Sequence, residues 1–174
     1  GCISISEDGH TAVIGYSVAS VSYIDLDAAA ITDDFSIDCI PHDIVLGDNG
    51  WCYITPVGDQ WEAMHSLDLN TGQLTVSTNI SIVYEKTQIK KVPGKALMVG
   101  SRLTVSPTGL LLFDIAAGLP KDEVTYYHES TGDFWISKDA ARVYSAYGNV
   151  YTIPEFDGMN HGSTAPVYGM FDLG

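Results

Sequence analysis

The first half of the chain lacks positive charge. Residues 1–85 contain 13 carboxylates and no lysine or arginine, whereas residues 86–174 contain the other 9 carboxylates and all 8 basic residues. A nucleic-acid partner is therefore not expected, because contacts with phosphate need a basic face. The formal net charge of −14 is compatible with an extracellular or cell-envelope protein, and we expect that location.

Long hydrophobic runs are also missing. No window approaches the roughly 18 consecutive apolar residues of a membrane-spanning helix, so no membrane span is expected. The sequence starts at Gly1 without a methionine or a signal-peptide pattern, and from this we expect a processed or excised piece of a longer protein. With 174 residues and 45% hydrophobic content, the chain can bury the core of one domain.

Cysteine is scarce, and the three present are Cys2, Cys39 and Cys52. Cys52 lies in the strand-like run "WCYITPV", where a buried free thiol is the expected state. Cys2 with Cys39 is the one pair that we consider for a disulfide. The sequence has no CxxC spacing and no cluster of cysteine with histidine, so no metal site is predicted.

Two loops and one tripeptide carry weaker signals. The loop "DGMNHGS" (residues 157–163) lacks the closing glutamate of a calcium-binding loop, so a turn held by its own side chains is preferred. The run "YYHES" (residues 126–130) offers one further isolated histidine. The tripeptide "NIS" (residues 79–81) fits the N-glycosylation pattern.

Helical periodicity is absent as well, and strand signals take its place. No window of about 11 residues sustains an apolar period of 3.6. Short runs rich in β-branched and aromatic residues recur instead, separated by turn residues, such as "TAVIGY", "SVSYIDL", "WCYITPV" and "LLLFDI". The chain is predicted to be all-β.

Two sets of anchor residues repeat along the chain. Tight turns at "SEDG", "GDNG", "VPGK" and "SKDA" follow one another at spacings of 41, 44 and 46 residues, and Asp25, Asp68 and Asp114 are spaced by 43 and 46. A period of roughly 40 to 45 residues with four short strands indicates a β-propeller blade. We predict one propeller domain, residues 1–174, with four blade-like repeats of four antiparallel strands, at about 1–39, 40–84, 85–129 and 130–174. The four either close by themselves or, as we expect, form part of a ring of six to eight blades, whose other blades lie on missing sequence or on a second copy.

The run "LDLNTGQLTV" (residues 67–76) resembles the strand-turn-strand unit of the YVTN and PQQ-like (WD40-like) propeller repeats. "SEDG" and "SKDA" resemble the Ser-x-Asp-Gly turn of the same superfamily. The resemblance implies a propeller, often extracytoplasmic, without a fixed function. Independently of it, Gly72 can adopt the left-handed conformation that closes a hairpin, and Asp68 and Thr71 can bind amides within the turn.

Catalytic chemistry finds little support in the sequence. Val76 stands where a quinone-dependent propeller enzyme would carry its docking tryptophan, so no cofactor is predicted. A carbohydrate-active enzyme, either a glycoside hydrolase or a lyase, would need convergent groups in the channel. Asp43, Glu129 and Asp133 lie near first strands, but no spacing forces them together. This enzyme is the alternative function, and no catalytic residue is assigned.

Half of the basic residues fall in the segment "KTQIKKVPGK", namely Lys86, Lys90, Lys91 and Lys95. One interpretation is a solvated hairpin whose lysines discourage strand aggregation. The other is a docking patch for a protein partner or another copy of this chain, which would make self-association sensitive to salt. The function that we expect is a non-catalytic binding or assembly module.

Overall fold

The structure is a computed structural model, and it describes residues 1–58, 61–78, 83–102, 109–127, 132–146, 149–153 and 167–168. Four features discussed above lie outside these residues: Glu129, His128, the tripeptide at 79–81 and the loop at 157–163.

Sixteen strands in the described residues form four antiparallel sheets, which we call blades 1 to 4. Blade 1 contains β1 (Cys2–Ile5), β2 (Thr11–Tyr16), β3 (Ser20–Asp25) and β4 (Ala30–Ser36). Blade 2 contains β5 (Ile40–Leu46), β6 (Trp51–Val57), β7 (Met64–Asp68) and β8 (Leu74–Ser77). Blade 3 contains β9 (Gln88–Lys91), β10 (Leu97–Arg102), β11 (Gly109–Asp114) and β12 (Lys121–Tyr127). Blade 4 contains β13 (Phe134–Ile136), β14 (Arg142–Ser145), β15 (Asn149–Thr152) and β16 (Val167–Tyr168).

Within each blade the strands pair in chain order, each with the next. This meander confirms the predicted all-β propeller of four repeats. No helix in the described part of the chain is long and apolar enough to cross a membrane. The assignment of residues 1–174 to one propeller domain stays a prediction.

The core lies between the blades, because each strand alternates its apolar side chains between two neighbours. Junction 1–2 is built from Val13, Val21, Ile44, Leu46, Cys52, Ile54, Leu67 and Leu69. Junction 2–3 contains Val45, Tyr53, Met64, Val83, Ile89, Met98, Leu111, Phe113 and Ile115. Junction 3–4 contains Val92, Leu97, Val99, Leu110, Leu112, Phe134, Ala140, Val143 and Ile153. Over the described residues, the four blades do not close a ring.

The turn between the third and fourth strands is closed in a similar way in blades 1, 2 and 3. In each turn a carboxylate accepts a backbone N–H from two or three residues further on. The pairs are Ala28 to Asp25 (2.9 Å), Asn70 to Asp68 (2.9 Å) and Ala116 to Asp114 (2.8 Å). The fifth residue of each turn has positive φ: Ala29 (50°), Gly72 (74°) and Gly118 (92°). The second anchor of the sequence repeat is therefore a structural repeat.

The roles predicted for Asp68, Thr71 and Gly72 are confirmed. The Thr71 hydroxyl accepts the Gln73 N–H at 3.3 Å and donates to Asp68 Oδ2 at 2.8 Å, and the Gly72 N–H donates to the Asp68 carbonyl at 2.8 Å. The Thr71 hydroxyl, followed by the N–H of Asn70, lowers the pKa of Asp68 below its ordinary value. The turn therefore satisfies its own polar groups.

All three cysteines are free thiols, so the disulfide considered between Cys2 and Cys39 does not form. Cys2 is directed toward Gly15, where an added Cβ would lie 2.8 Å from its sulfur. Cys52 is fully buried, as predicted for a free thiol in a strand.

Candidate functional site

One face of blade 1 carries several isoleucines that are exposed to solvent. The strand register pairs Ile3 with Ile14 and Ile24 with Ile31, so these side chains share one face of the sheet. Ile3 is 59% exposed and Ile31 is 57% exposed, and Ile5 on the same face is 57% exposed. We call this surface the open face of blade 1.

The equivalent positions of the other blades are buried. Ile3 occupies the place that Ile44, Ile89 and Phe134 occupy in blades 2, 3 and 4, two residues before the end of the first strand. Those three side chains are at most 2% exposed, because each packs against the preceding blade. Blade 1 therefore presents a packing face that no blade covers within the described residues.

The turns between the third and fourth strands show the same contrast. Leu26 in blade 1 is 39% exposed, whereas its counterparts Leu69 and Ile115 are 7% and 1% exposed. In blade 3 this turn rests on blade 2, since the Tyr53 hydroxyl donates to the Gly118 carbonyl at 2.7 Å. On this surface of blade 1, both the strands and the turn therefore carry the apolar residues that form inter-blade junctions elsewhere in the protein.

The opposite end of the blade series carries an exposed indole. Trp135 pairs with Tyr144 across β13 and β14, and Tyr144 pairs with Val150. These residues face away from junction 3–4, whose side chains alternate with them along the strands. Trp135 is 54% exposed. We call this surface the far face of blade 4.

The four lysines have different surroundings. Lys91 is 13% exposed in its side chain, and its Nζ lies 2.7 Å from Asp48 Oδ2 and 3.1 Å from Glu7 Oε2. Because Lys90 is the preceding residue of the strand, it points to the other face.

Lys90 Nζ lies 3.0 Å from Asp133 Oδ1 in front of blade 4 and also donates to the Phe134 carbonyl. Lys86 lies 3.6 Å from the carboxylate of its neighbour Glu85. Lys90 and Lys91 thus serve contacts between blades, and docking of a partner by Lys86, Lys90, Lys91 and Lys95 stays a prediction.

The carboxylates near first strands hold backbone amides. Asp43 accepts the N–H of Ile44 at 2.9 Å and that of Ile89, in the next blade, at 2.8 Å. Burial raises the pKa of Asp43, and these two N–H groups oppose the rise. Asp133 likewise accepts the N–H of Phe134 at 2.7 Å. Both carboxylates therefore have structural bonds, and the carbohydrate-active enzyme stays a prediction.

A pocket of about 500 Å³ opens between the first hairpin turns of blades 1 and 2. Its lining residues are Ser6, Glu7, Asp8, Thr11, Tyr23, Leu46, Gly47, Asp48 and Gly50. Lys91 binds two of its carboxylates, Glu7 and Asp48, so the negative charge of the pocket is partly neutralised within the chain.

A cluster of three different donor atoms lies near junction 1–2, and we call it the Asp38 cluster. An Asp38 carboxylate oxygen, the Cys39 sulfur and a ring nitrogen of His65 all lie within 4.8 Å of one another. Burial, followed by the charges of Asp38 and Glu62, raises the pKa of Cys39 to about 12. Sequence reasoning missed this cluster because Cys39 and His65 belong to different elements. Strand pairing could have indicated it, since His65 follows the hairpin that starts close to Cys39.

Comparisons with known proteins identify the fold. No family model matches the chain, and no curated protein matches its sequence. Among solved structures, it resembles Kuenenia stuttgartiensis hydrazine synthase, with a TM-score of 0.62 and 16% identity over 93% of this chain and 46% of that one. It also resembles the β-propeller domain of Myceliophteria thermophila Cps50 (Swd1), with a TM-score of 0.67 and 9% identity over 90% of this chain and 53% of that one. A chain of the mitotic checkpoint complex gives a TM-score of 0.60 and 10% identity, over 83% of this chain and 46% of that one.

These comparisons establish an all-β propeller fold and give no family. Membership of the YVTN and PQQ-like superfamily stays a prediction. The chain spans about half the length of the solved structures that it resembles.

Proposed function

We propose that this protein is a non-catalytic assembly module, and that the open face of blade 1 packs against the far face of blade 4 in a second copy of the chain. The observation that carries the proposal is the exposure of Ile3, 59%, against at most 2% at the equivalent Ile44, Ile89 and Phe134. A propeller blade buries its two faces only against its neighbours. The open face has the same kind of side chains as the covered faces of blades 2, 3 and 4. This similarity supports another blade as the partner that covers it.

The energetics favour covering this face. Full burial of an isoleucine side chain contributes about 1.5 to 3 kcal/mol, and three isoleucines of the open face are more than half exposed. Contiguous apolar surface of this kind marks interaction sites in soluble proteins. Polar ligands would gain little from such a surface, which favours a protein partner.

A second copy is favoured over an unrelated partner by two features. The far face of blade 4 offers the exposed Trp135 at the position where the next blade would pack. The chain also spans about half of each propeller chain that it resembles, so two copies would supply a comparable number of blades. Two identical head-to-tail junctions would close the pair into a ring with twofold symmetry.

Sedimentation velocity over a concentration series tests the proposal. The expected species has twice the 18.8 kDa mass of the chain. The double variant Ile3→Asp, Ile5→Asp should sediment as a monomer, and Trp135→Asp should do the same from the other side of the junction. The matched control is Val18→Asp, because Val18 is 77% exposed in the turn between β2 and β3, outside the strands that form the open face.

The salt dependence of self-association distinguishes this apolar junction from docking through the lysines. An apolar junction should persist or strengthen as salt increases, because salt also screens the repulsion between the acidic first halves. Dissociation by salt would instead support the lysine patch. A wild-type chain that stays monomeric at every concentration, or variants that dimerise like the control, would contradict the proposal.

An extracellular or cell-envelope location is also part of the proposal, and the acidic composition supports it. Fractionation of the source cells with detection by antibody tests it, and recovery in the cytosol alone would contradict it.

A further inference from the structure

The Asp38 cluster combines a carboxylate, a thiol and an imidazole at one end of junction 1–2. Asp38 and Cys39 lie in the connection between β4 and β5, and His65 lies in β7. The His65 side chain is 9% exposed, whereas that of Asp38 is 65% exposed. The cluster is therefore anchored in the protein by His65 and open to solvent at Asp38.

The buried imidazole of His65 has a ring nitrogen without a hydrogen bond. His65 Nδ1 lies 3.0 Å from Asp38 Oδ1, but the two groups are not aligned as donor and acceptor. Among the described residues this buried nitrogen has no hydrogen-bond partner. An unsatisfied buried polar atom costs about 1 to 3 kcal/mol, so a ligand that engages it would be stabilising.

A second histidine shows what an ordinary pair looks like in this protein. His10 Nδ1 lies 2.8 Å from Asp27 Oδ2 with hydrogen-bond geometry, and both side chains are exposed. That pair is satisfied by itself, and among the described residues no cysteine joins it. The contrast with His65 indicates that the Asp38 cluster is arranged for a third participant.

We propose that the Asp38 cluster binds one Zn²⁺ ion through Asp38 Oδ, Cys39 Sγ and His65 Nδ1. Zinc takes sulfur, nitrogen and oxygen ligands at about 2.0 to 2.3 Å, which places two tetrahedral ligands about 3.3 to 3.6 Å apart. The three donor atoms lie within 4.8 Å of one another, and the Asp38 and His65 atoms are already 3.0 Å apart, so side-chain rotations would bring all three to ligand separations.

The donor set selects the metal. Calcium and magnesium prefer oxygen ligands alone, whereas a thiolate with an imidazole favours zinc and softer transition metals. Three protein ligands leave the fourth tetrahedral position for water, as in zinc sites that are open to solvent. The ion would tie the connection between blades 1 and 2 to the third strand of blade 2.

Titration of the chelator-treated full chain with Zn²⁺ alone, followed by calorimetry, tests this site. We expect one ion per chain, and we expect Co²⁺ to give a thiolate charge-transfer band. Removing a residue that hydrogen-bonds to a metal ligand lowers metal affinity about 10- to 100-fold. Cys39→Ser and His65→Ala remove a ligand itself, so each should lower zinc affinity more than about 100-fold. The matched controls are Cys2→Ser, at another half-buried free thiol, and His10→Ala, at the other His–Asp pair. Both controls should bind like the wild type.

Asp38→Ala keeps the test decisive if the buried positions do not tolerate change, because Asp38 is mostly exposed. Weakened zinc binding in this variant, with an unchanged circular dichroism spectrum, would support the site. Wild-type affinity in Asp38→Ala, no saturable binding in the wild type, or a cobalt complex without the thiolate band would each overturn it. The outcome is independent of self-association, since the three ligands lie at junction 1–2 and not on the open face.

Discussion

At the scale of single residues, the turn between the third and fourth strands is held by its aspartate more than by its glycine. Asp25 and Asp68 each accept a backbone N–H of their own turn, although the turns end in Ala29 and Gly72 respectively. An alanine at φ 50° is strained, because its Cβ crowds the backbone in the left-handed region. Blade 1 therefore tolerates backbone strain at Ala29, whereas glycine avoids that strain at the equivalent Gly72 of blade 2.

Exchanging the two residues should change stability in opposite directions. Ala29→Gly should stabilise the protein by about 0.5 to 1 kcal/mol, since relief of about 1 to 2 kcal/mol exceeds the added unfolded-state entropy of glycine. Gly72→Ala should destabilise it by about 1 kcal/mol, because alanine would be strained at the φ of 74° that Gly72 adopts. Urea unfolding followed by circular dichroism measures both. If both variants had the same free energy of unfolding, the prediction of opposite effects would be wrong.

The sequence predicts these turns unevenly. Asp68, Thr71 and Gly72 form a pattern whose hydrogen bonds follow from the side chains themselves. Ala29 lies in "DLDAAAIT", where no residue type indicates a positive φ. Only alignment with the repeat places it opposite Gly72, because the conformation is imposed by the strands on either side.

At the scale of elements, Lys91 joins three blades. It belongs to β9 in blade 3 and binds Asp48 in the first turn of blade 2 and Glu7 in the first turn of blade 1. The N–H of Gly94 adds a bond to the same Glu7 oxygen at 2.9 Å. The lysine therefore links the hairpin turns of successive blades at one end of the molecule.

Removing this lysine should weaken the packing of the blades. Lys91→Met should lower the free energy of unfolding at pH 7 by about 1 to 3 kcal/mol, since the side chain is mostly buried and two carboxylates lose their partner. Lys86→Met is the matched control, because Lys86 is 54% exposed and pairs only with its neighbour. Urea unfolding measures both, and an equal effect of the two variants would contradict the assigned role.

The pH dependence of this effect follows from the pKa directions. Burial alone would lower the pKa of Lys91, but its hydrogen bonds to Asp48 and Glu7 outweigh burial and raise it. A raised lysine pKa contributes stability below about pH 10.4, which is lost as the pH rises through the folded-state pKa. The Gly94 N–H, and then Lys91, lower the pKa of Glu7, whose contribution is present above about pH 4.3 and lost in acid. The difference between wild type and Lys91→Met should therefore be largest between these limits.

Strand periodicity places Lys90 and Lys91 on opposite faces, and the sequence allows that conclusion. It does not give their partners. Asp48 and Glu7 lie more than 40 residues away in the chain, and only the stacking of blades brings them to Lys91. The partners of Lys91 therefore follow from the fold and not from the cluster of charge in the sequence.

At the scale of the whole molecule, stability should be graded along the blades. Blade 2 is packed on both faces within the chain, whereas the open face of blade 1 is exposed. In repeat architectures, stability is close to a sum of nearest-neighbour terms. The end of the series should therefore open before its centre.

Amide hydrogen exchange checks this gradient. In dilute solution, amides of β2 and β3 should exchange through an opening of lower free energy than amides of β6 and β7, which occupy the same places in blade 2. Raising the protein concentration should selectively protect blade 1 if a second copy covers it. Equal protection of the two blades at all concentrations would contradict the gradient.

The sequence predicts the number and type of blades, because turn and aspartate anchors recur with a nearly constant period. The open face could not be predicted in the same way. Ile3 and Ile44 have the same residue type and the same place in their strands, and they differ only in whether a blade lies in front of them. The Asp38 cluster was missed for a similar reason, since its residues meet only when β4, β5 and β7 assemble.

The contact between Trp51 and Gly118 gives the molecule an internal optical probe. A Cβ on Gly118 would lie 2.7 Å from the indole of Trp51, so the ring of blade 2 rests directly on the backbone of blade 3. Trp61 and Trp135 are 65% and 54% exposed and already sense water. A red shift of the fluorescence in a variant that keeps only Trp51 would report the separation of blades 2 and 3 in real time, without a label.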